Sequence, residues 1–78
     1  MEQLRVYAVR NGEVTYFDVK DVEKAKRIIK REVESDLHNR RVFWNAFGLE
    51  VIEDGEWVEY YNEDGLDIME MMKESEDL

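Results

Sequence analysis

The chain has 78 residues and neither cysteine nor proline, and its formal net charge is −9. This length suffices for one small domain, whose thin core leaves little room for an internal active site. Without cysteine there can be no disulfide framework, zinc ribbon or thiol nucleophile, which favours a cytoplasmic location. The sequence shows no apolar leader and no run of about 20 apolar residues, so we expect no secretion signal and no membrane span.

The charge is unevenly distributed along the chain. Residues 1–43 carry a net charge of +2, whereas residues 44–78 carry −11 and contain Lys73 as their single basic residue. Such asymmetry predicts an acidic interaction surface or tail. It disfavours direct binding of nucleic acid, because DNA and RNA attract basic surfaces. The plainer alternative is that the acidic residues only keep a small domain in solution.

A first β-hairpin is predicted around Asn11-Gly12, a typical two-residue turn flanked by the alternating residues 4–9 and 13–19. The turn fixes the register, so that Val9 faces Val14. One face of this hairpin is predicted to be core and consists of Leu4, Val6, Ala8, Thr15, Phe17 and Val19. The other face is predicted to be half covered or an exposed aromatic patch, and consists of Arg5, Tyr7, Val9, Val14, Tyr16 and Asp18.

A helix is predicted from about residue 21, with Asp18 or Asp21 as its N-cap. Its apolar positions recur at helical spacing and are Val22, Ala25, Ile28, Ile29 and Val33. A basic stripe beside them is typical of a solvated helix face, with phosphate binding as the alternative: Lys20, Lys24, Arg27 and Arg31. Residues 38–48 fit either a helix ending at Gly48 or the start of a strand. We expect a connection with some helical character that leads into a strand at residue 49.

A second hairpin is predicted from residues 49–53 and 56–61 around Asp54-Gly55, with Glu50 facing Glu59. A last helix is predicted over residues 65–74, with Asp64 as its cap and Asp67 three residues on. Residues 75–78 are predicted to be a frayed acidic end. The predicted fold is therefore a single α+β domain over residues 1–78 in ββαββα order. Its two hairpins form a mostly antiparallel sheet with helices packed on one face.

The sequence offers no convincing catalytic or metal site. His38 is the single histidine, and neither an orienting partner nor a nucleophile lies near it in sequence. No glycine-rich phosphate loop is present, and residues 62–65 lack the spaced ligands of a calcium loop. We therefore expect a non-catalytic protein that needs no metal and no cofactor.

Carboxylates of the second half, together with one tryptophan, form the predicted partner-binding surface. Its residues are Glu50, Glu53, Asp54, Glu56, Trp57, Glu59, Glu63, Asp64, Asp67 and Glu70. Like charges at Glu50 and Glu59 would cost about 0.2–1 kcal/mol, which a fold with no use for both would avoid. Trp57 would be an anchor among steering charges, or else core beneath the last helix. The methionines of that helix are predicted to be core, with a dimer seam or an adaptable groove as alternatives: Met69, Met71 and Met72.

In its size, its acidity and its aromatics among carboxylates, the whole chain resembles small phage-encoded inhibitors that mimic DNA, anti-CRISPR proteins among them. The resemblance implies that the carboxylates imitate phosphates and occupy the basic nucleic-acid-binding site of a host protein in the bacterial cytoplasm. An alternative is an adaptor or assembly module that binds a protein partner, or itself as a homodimer, through sheet edges and apolar patches. A third hypothesis is direct contact with RNA or DNA through Lys24, Arg27, Arg31, Arg40 and Arg41.

Overall fold

The computed structural model describes residues 3–75, and its elements follow in the predicted order. They are β1 (Leu4–Arg10), β2 (Glu13–Val19), α1 (Val22–Leu37), β3 (Asn45–Glu53), β4 (Glu56–Glu59) and α2 (Ile68–Ser75). The four strands form one antiparallel sheet in the order β2-β1-β3-β4. The predicted α+β class and ββαββα order are thus confirmed.

Both hairpin turns form where the sequence predicts them, and both predicted registers are confirmed. Asn11 and Asp54 have φ angles of 50° and 51°, and the glycines that follow have 89° and 83°. Asparagine, aspartate and glycine tolerate this left-handed backbone best, which is why these dipeptides favour such turns. Glu50 does pair with Glu59 across the second hairpin. The strand β4 nevertheless ends at Glu59, two residues before the predicted end.

The two hairpins are joined by pairing between β1 and β3. Arg10 pairs with Asn45 and Leu4 pairs with Val51, so β3 begins at residue 45 rather than 49. The predicted connection over residues 38–48 is therefore wrong for residues 45–48, which are strand. These residues extend β3 because the facing half of β1 supplies the backbone partners that their N–H and C=O groups need.

Both helices pack on one face of the sheet and enclose the core between them and the strands. The buried core consists of Leu4, Val6, Ala8, Val19, Ala25, Ile28, Ile29, Phe47, Leu49, Val51, Ile68 and Met71. The predicted core face of the first hairpin is thus confirmed at β1, and Phe17 packs against the core from β2. Thr15 is exposed, contrary to the prediction, because β2 is an edge strand.

The helix α1 begins after Asp21, whose Oδ1 accepts a hydrogen bond from the backbone N of Lys24 at 2.7 Å. Asp21 is therefore the N-cap, and the other candidate, Asp18, lies in β2. A carboxylate in this position satisfies an N–H group that has no partner within the helix.

The helix α2 begins at Ile68, three residues later than predicted, because its cap is Asp67 and not Asp64. Asp67 Oδ1 accepts from the backbone N of Glu70 at 2.9 Å, and Glu70 Oε1 accepts from the backbone N of Asp67 at 3.0 Å. This reciprocal pair is a capping box. Asp64 instead lies in a turn that Asn62 organises through its side-chain oxygen. Of the predicted frayed end, residue 75 ends α2, and residues 76–78 lie outside the described residues.

Candidate partner-binding surfaces

The face of the sheet opposite the helices is here called the open face, since neither α1 nor α2 packs on it. It carries Arg5, Tyr7, Val9, Val14, Tyr16, Asp18, Ala46, Glu50, Ile52, Trp57 and Glu59. Val14 and Tyr16 on the edge strand β2 are 49% and 48% exposed. The first hairpin therefore does present the exposed aromatic patch that was one of its two predicted outcomes.

Arg5 lies on the open face between two aromatic rings. Its guanidinium carbon is 3.8 Å from the centroid of Tyr16 and 4.2 Å from that of Trp57. Such contacts contribute about 0.5–1 kcal/mol each where water has access. Trp57 is consequently held against Arg5 on the open face and is not core beneath the last helix, which corrects that alternative. The stack orders the indole without removing it from solvent, since Trp57 is half-buried.

Glu50 and Glu59 face each other as predicted, but each carboxylate has its own neutral or cationic partner. Glu50 Oε1 accepts from Arg5 Nε at 2.8 Å, and Glu59 Oε1 accepts from the Tyr7 hydroxyl at 3.0 Å. Tyr7 reaches β4 from β1 by lying across Gly48, which has no Cβ to block the ring. These bonds offset the repulsion between the two charges, and they tie both carboxylates to the open face.

The Tyr7–Glu59 pair lies in a negative field. Burial raises the pKa of the Tyr7 hydroxyl, and the hydrogen bond to Glu59 raises it further, so the phenol remains a donor. Burial also raises the pKa of Glu59, and the charges of Asp67 and Glu50 add to this effect. The hydrogen bond from Tyr7 acts in the opposite direction on Glu59 but does not cancel the rise. The structure therefore brings Glu50 and Asp67 close enough to Glu59 for their charges to act on its carboxylate.

The raised pKa of Glu59 predicts a defined dependence of stability on pH. A carboxyl whose folded pKa exceeds its unfolded value is protonated first in the folded state, so its contribution to stability falls as pH rises through that interval. We expect Glu59→Gln, which keeps an acceptor for Tyr7, to be more stable than the wild type at pH 7. The difference should shrink as the pH is lowered to about 4. Urea denaturation at several pH values measures it.

The exposed Glu53 gives the control for this prediction, because Glu53→Gln removes the same charge from the β3–β4 turn. A pH-dependent difference of equal size in both variants would show that overall charge, and not the environment of Glu59, is responsible. No pH dependence at Glu59→Gln would contradict the prediction outright.

The remaining carboxylates of the predicted surface lie outside the Arg5 and Tyr7 network, and together they are here called the acidic surface. They are Glu53, Asp54 and Glu56 at the β3–β4 turn, Glu63 and Asp64 in the next loop, and Asp67 and Glu70 at the start of α2. Within residues 3–75, none of the seven forms an ion pair. All except Asp67 are exposed. The segment 44–72 contains no basic residue, so the basic side chains beside this surface come from other segments, such as Lys30 and Lys73, which line one groove with Asp67 and Glu70.

A partly buried ionic cluster that the sequence analysis missed joins β1 to α1. Arg10 Nε donates to Asp36 Oδ1 and Oδ2 at 2.9 and 2.8 Å, and its Nη2 donates to Glu32 at 2.6 Å. Asn45 Nδ2 donates to Asp36 Oδ2 at 3.0 Å, which brings in the start of β3. The hydrogen bond to Asp36 raises the pKa of Arg10. The alternation of β1 places Arg10 on the core face, where a charge requires a partner, and that signal could have revealed the cluster.

The segment 37–44, which begins at the last residue of α1, is here called the aromatic loop. The sequence analysis named only Arg40 and Arg41 in it, as possible contacts to RNA or DNA, and missed its aromatic side chains. Asn11 fixes it: Asn11 Oδ1 accepts from the backbone N of Phe43 and of Trp44, at 3.2 Å each. Asn11 Nδ2 donates to the carbonyl oxygen of Arg41 at 2.8 Å, and the backbone N of Asn11 donates to the carbonyl oxygen of Trp44 at 2.9 Å. Phe43 is nevertheless 85% exposed, Trp44 56% and Leu37 77%. The loop thus has a fixed backbone and exposed apolar side chains.

The methionines of α2 divide between core and surface. Met71 is buried in the core, as predicted, whereas Met69 is 39% exposed. Met69 and Met72 line a groove of about 800 Å³ between α1 and α2, together with Ile29 and Val33. The alternative of an adaptable groove therefore has a structural counterpart, although Met72 also packs against the core.

No family model, curated protein or solved structure matches this chain. Among the described residues, no group of three or more His, Asp or Glu side chains is arranged to hold a metal ion. Neither α1 nor α2 has the length and apolar character that a membrane-spanning helix needs. The candidate partner-binding surfaces of the described residues are the open face, the acidic surface and the aromatic loop.

Proposed function

We propose that this protein is a non-catalytic inhibitor whose acidic surface occupies the basic nucleic-acid-binding site of a partner protein. The observation that supports the proposal is the set of seven carboxylates without an ion pair within residues 3–75. Basic residues are available in the chain, yet they lie almost entirely before residue 44. Concentrated charge of one sign destabilises a compact domain through self-repulsion, and it attracts ligands of opposite charge.

The carboxylates differ in how freely they could meet a basic partner. Glu53 and Glu56 pair across the end of the β3–β4 hairpin and project from an exposed turn. Glu50 is already paired with Arg5, and Glu59 holds the Tyr7 hydroxyl. We therefore assign the electrostatic capture to the acidic surface, and to Glu50 and Glu59 a smaller direct share than the sequence suggested.

Trp57 supplies the apolar anchor in this proposal. Its ring is ordered by Arg5 before any partner binds, so less side-chain entropy is lost on association. A half-buried tryptophan bordered by charges is typical of the residues that dominate protein interfaces. The carboxylates then raise the association rate and select basic partners, while the indole contributes buried area.

Charge reversal at the turn tests the proposal. The protein is immobilised, bacterial lysate is passed over it at low and high salt, and captured proteins are identified by mass spectrometry and purified. We expect a basic nucleic-acid-binding protein that salt releases and DNA displaces. Glu53→Lys/Glu56→Lys should then weaken its binding at least tenfold, because two favourable charge contacts become repulsive. A loss of about 1.4 kcal/mol suffices for that factor.

The matched control is Glu23→Lys/Glu34→Lys, which makes the same change of net charge at exposed positions of α1. Binding should be affected much less by this pair than by the pair at the turn. Equal losses in both variants would reduce the effect to net charge. A captured partner that ignores salt, DNA and the turn substitutions would overturn the proposal.

The apolar part of the open face supports a second candidate, a small adaptor that binds a protein through a sheet face or edge. Val14 and Tyr16 are half exposed on β2, an edge strand of seven residues. An exposed apolar patch on an edge strand is a common site of protein association. Association through it should be indifferent to salt and should be lost in Val14→Ser/Tyr16→Ser while Glu53→Lys/Glu56→Lys leaves it intact.

A further inference from the structure

The aromatic loop has the properties of an interface that is already organised. Asn11 forms four hydrogen bonds with the loop, two as donor and two as acceptor, and they fix the loop backbone between Arg41 and Trp44. The side chains of Phe43 and Trp44 gain little burial from this order, at 85% and 56% exposure. A backbone that is already fixed lowers the entropic cost of binding. The loop also exposes a tryptophan, a residue type that is enriched at the centres of protein interfaces.

The charge of the loop defines the chemistry of what it would bind. Arg40 and Arg41 are exposed, and no acidic residue occurs between residues 37 and 49. The acidic residue that directly precedes the loop in sequence, Asp36, is buried and bonded to Arg10 and Asn45. The loop is therefore an apolar surface with a basic border, and an acidic surface with an aromatic residue is its complement.

Such a complement exists on the same chain, in the acidic surface and the adjoining Trp57, but at the opposite end of the molecule. The loop leads directly into Asn45 at the start of β3, and the acidic surface begins at Glu53, where β3 ends. A nine-residue strand spans about 27 Å between its terminal Cα atoms. A single copy cannot bring these two ends into contact, whereas two copies can.

We propose that copies of this chain associate head to tail, with the aromatic loop of one copy bound to the acidic surface of the next. Pairing of two identical loops would place Arg40 and Arg41 against the same residues of the second copy, so charge disfavours a symmetric contact through this loop. A head-to-tail contact leaves one loop and one acidic surface unoccupied, and association therefore continues beyond two copies, into closed rings or open chains. The inference rests on the acidic surface of the proposed function but not on its partner, with which self-association would compete.

Sedimentation equilibrium of the full chain tests the proposal, over a range of concentrations at low and high salt. We expect the weight-average mass to rise with concentration above the 9.4 kDa of one copy, and to rise less at high salt. Two variants each remove one side of the contact at exposed positions: Arg40→Ala/Phe43→Ala in the loop and Glu53→Lys/Glu56→Lys in the acidic surface. Each variant alone should associate at least tenfold more weakly than the wild type.

The decisive sample is an equimolar mixture of the two variants. The acidic-surface variant keeps an intact loop and the loop variant keeps an intact acidic surface, so the mixture should form a 1:1 complex that stops at two copies. Circular dichroism of each variant checks that it is folded. Self-association of the acidic-surface variant at wild-type strength would indicate symmetric pairing and overturn the proposal. A wild type that remains monomeric at low salt, or a mixture of folded variants that remains monomeric, would overturn it as well.

Failure here is distinguishable from failure of the proposed function. The loop variant should still capture the basic partner, because its acidic surface is unchanged, although it no longer associates with itself. Loss of self-association in the wild type with retained capture would leave the proposed function standing. If the wild type associates with itself but captures no basic partner, the head-to-tail proposal stands and the proposed function is wrong.

Discussion

Arg10→Met is expected to lower the free energy of unfolding by about 3 kcal/mol, because it leaves the buried Asp36 without its cation. Methionine keeps much of the aliphatic stem, so the loss of packing is small. Asp36 is 8% exposed and would retain Asn45 as its one remaining donor from β3. Urea denaturation followed by circular dichroism measures the change. A loss of this size would be a large part of the stability expected for a domain of this length.

The control for Arg10→Met is Arg31→Met, which removes a pairing with Glu32 at 3.3 Å from a side chain that is 65% exposed. An exposed pair contributes at most about 1 kcal/mol, so this variant should be close to the wild type. Arg10→Met/Asp36→Leu should recover part of the stability, since no uncompensated charge then remains buried. Equal stability of Arg10→Met and Arg31→Met would contradict the assignment of the cluster.

Gly48→Ala is expected to lower the free energy of unfolding by about 2 kcal/mol, although the backbone at Gly48 does not require glycine. A Cβ at this position would overlap the ring of Tyr7, which lies across it. Tyr7 would have to turn away and would lose its hydrogen bond to Glu59 at 3.0 Å. A domain of this size should then melt roughly 10 °C lower. Differential scanning calorimetry measures the shift.

A double-mutant cycle separates the overlap from other effects of the methyl group. In a Tyr7→Ala background the ring is absent, so Gly48→Ala should cost little. The coupling between the two substitutions should therefore account for most of the loss. If Gly48→Ala costs the same amount in both backgrounds, contact with the ring is not the reason that glycine occupies this position.

The parts of the fold that local chemistry determines could be predicted from the sequence. Asn11-Gly12 and Asp54-Gly55 specify two-residue turns, and a two-residue turn leaves one register for the strands beside it. The pairing of β1 with β3 could not be predicted in the same way. It joins residues that are some 40 positions apart, and no local signal in residues 45–48 distinguishes strand from connection.

The side-chain contacts between neighbouring strands could not be predicted from the sequence either. The row that contains Arg5 and Glu50 is defined only when β1 and β3 are neighbours. Without that pairing, the sequence predicts Glu50 and Glu59 as a repulsive pair kept for a partner, whereas in the structure each accepts a hydrogen bond, from Arg5 and from Tyr7 respectively. The acidic surface was easier to predict, because its residues are consecutive or nearly so and face solvent regardless of which strands are neighbours.

Two aspartates, Asp64 and Asp67, could each cap the start of α2. The residues that follow each of them determine which one does. Asp64 precedes Gly65, whose φ of 76° continues a turn and not a helix. Asp67 is followed three residues later by Glu70, and only this spacing lets two side chains satisfy each other's backbone N–H groups. This capping box could have been predicted from the sequence. It was missed because Asp64 comes first in the chain and also fits the pattern of a helix cap.

Asn11 meets two independent requirements, and together they restrict which residue types that position accepts. Its φ of 50° favours glycine, asparagine or aspartate. Its side chain accepts from two backbone N–H groups and donates to the carbonyl of Arg41. Glycine satisfies the backbone and offers no side chain, while aspartate accepts but has no donor for that carbonyl. Of these three residue types, asparagine alone meets both demands, so substitution at this one exposed position should disturb both the first hairpin turn and the aromatic loop.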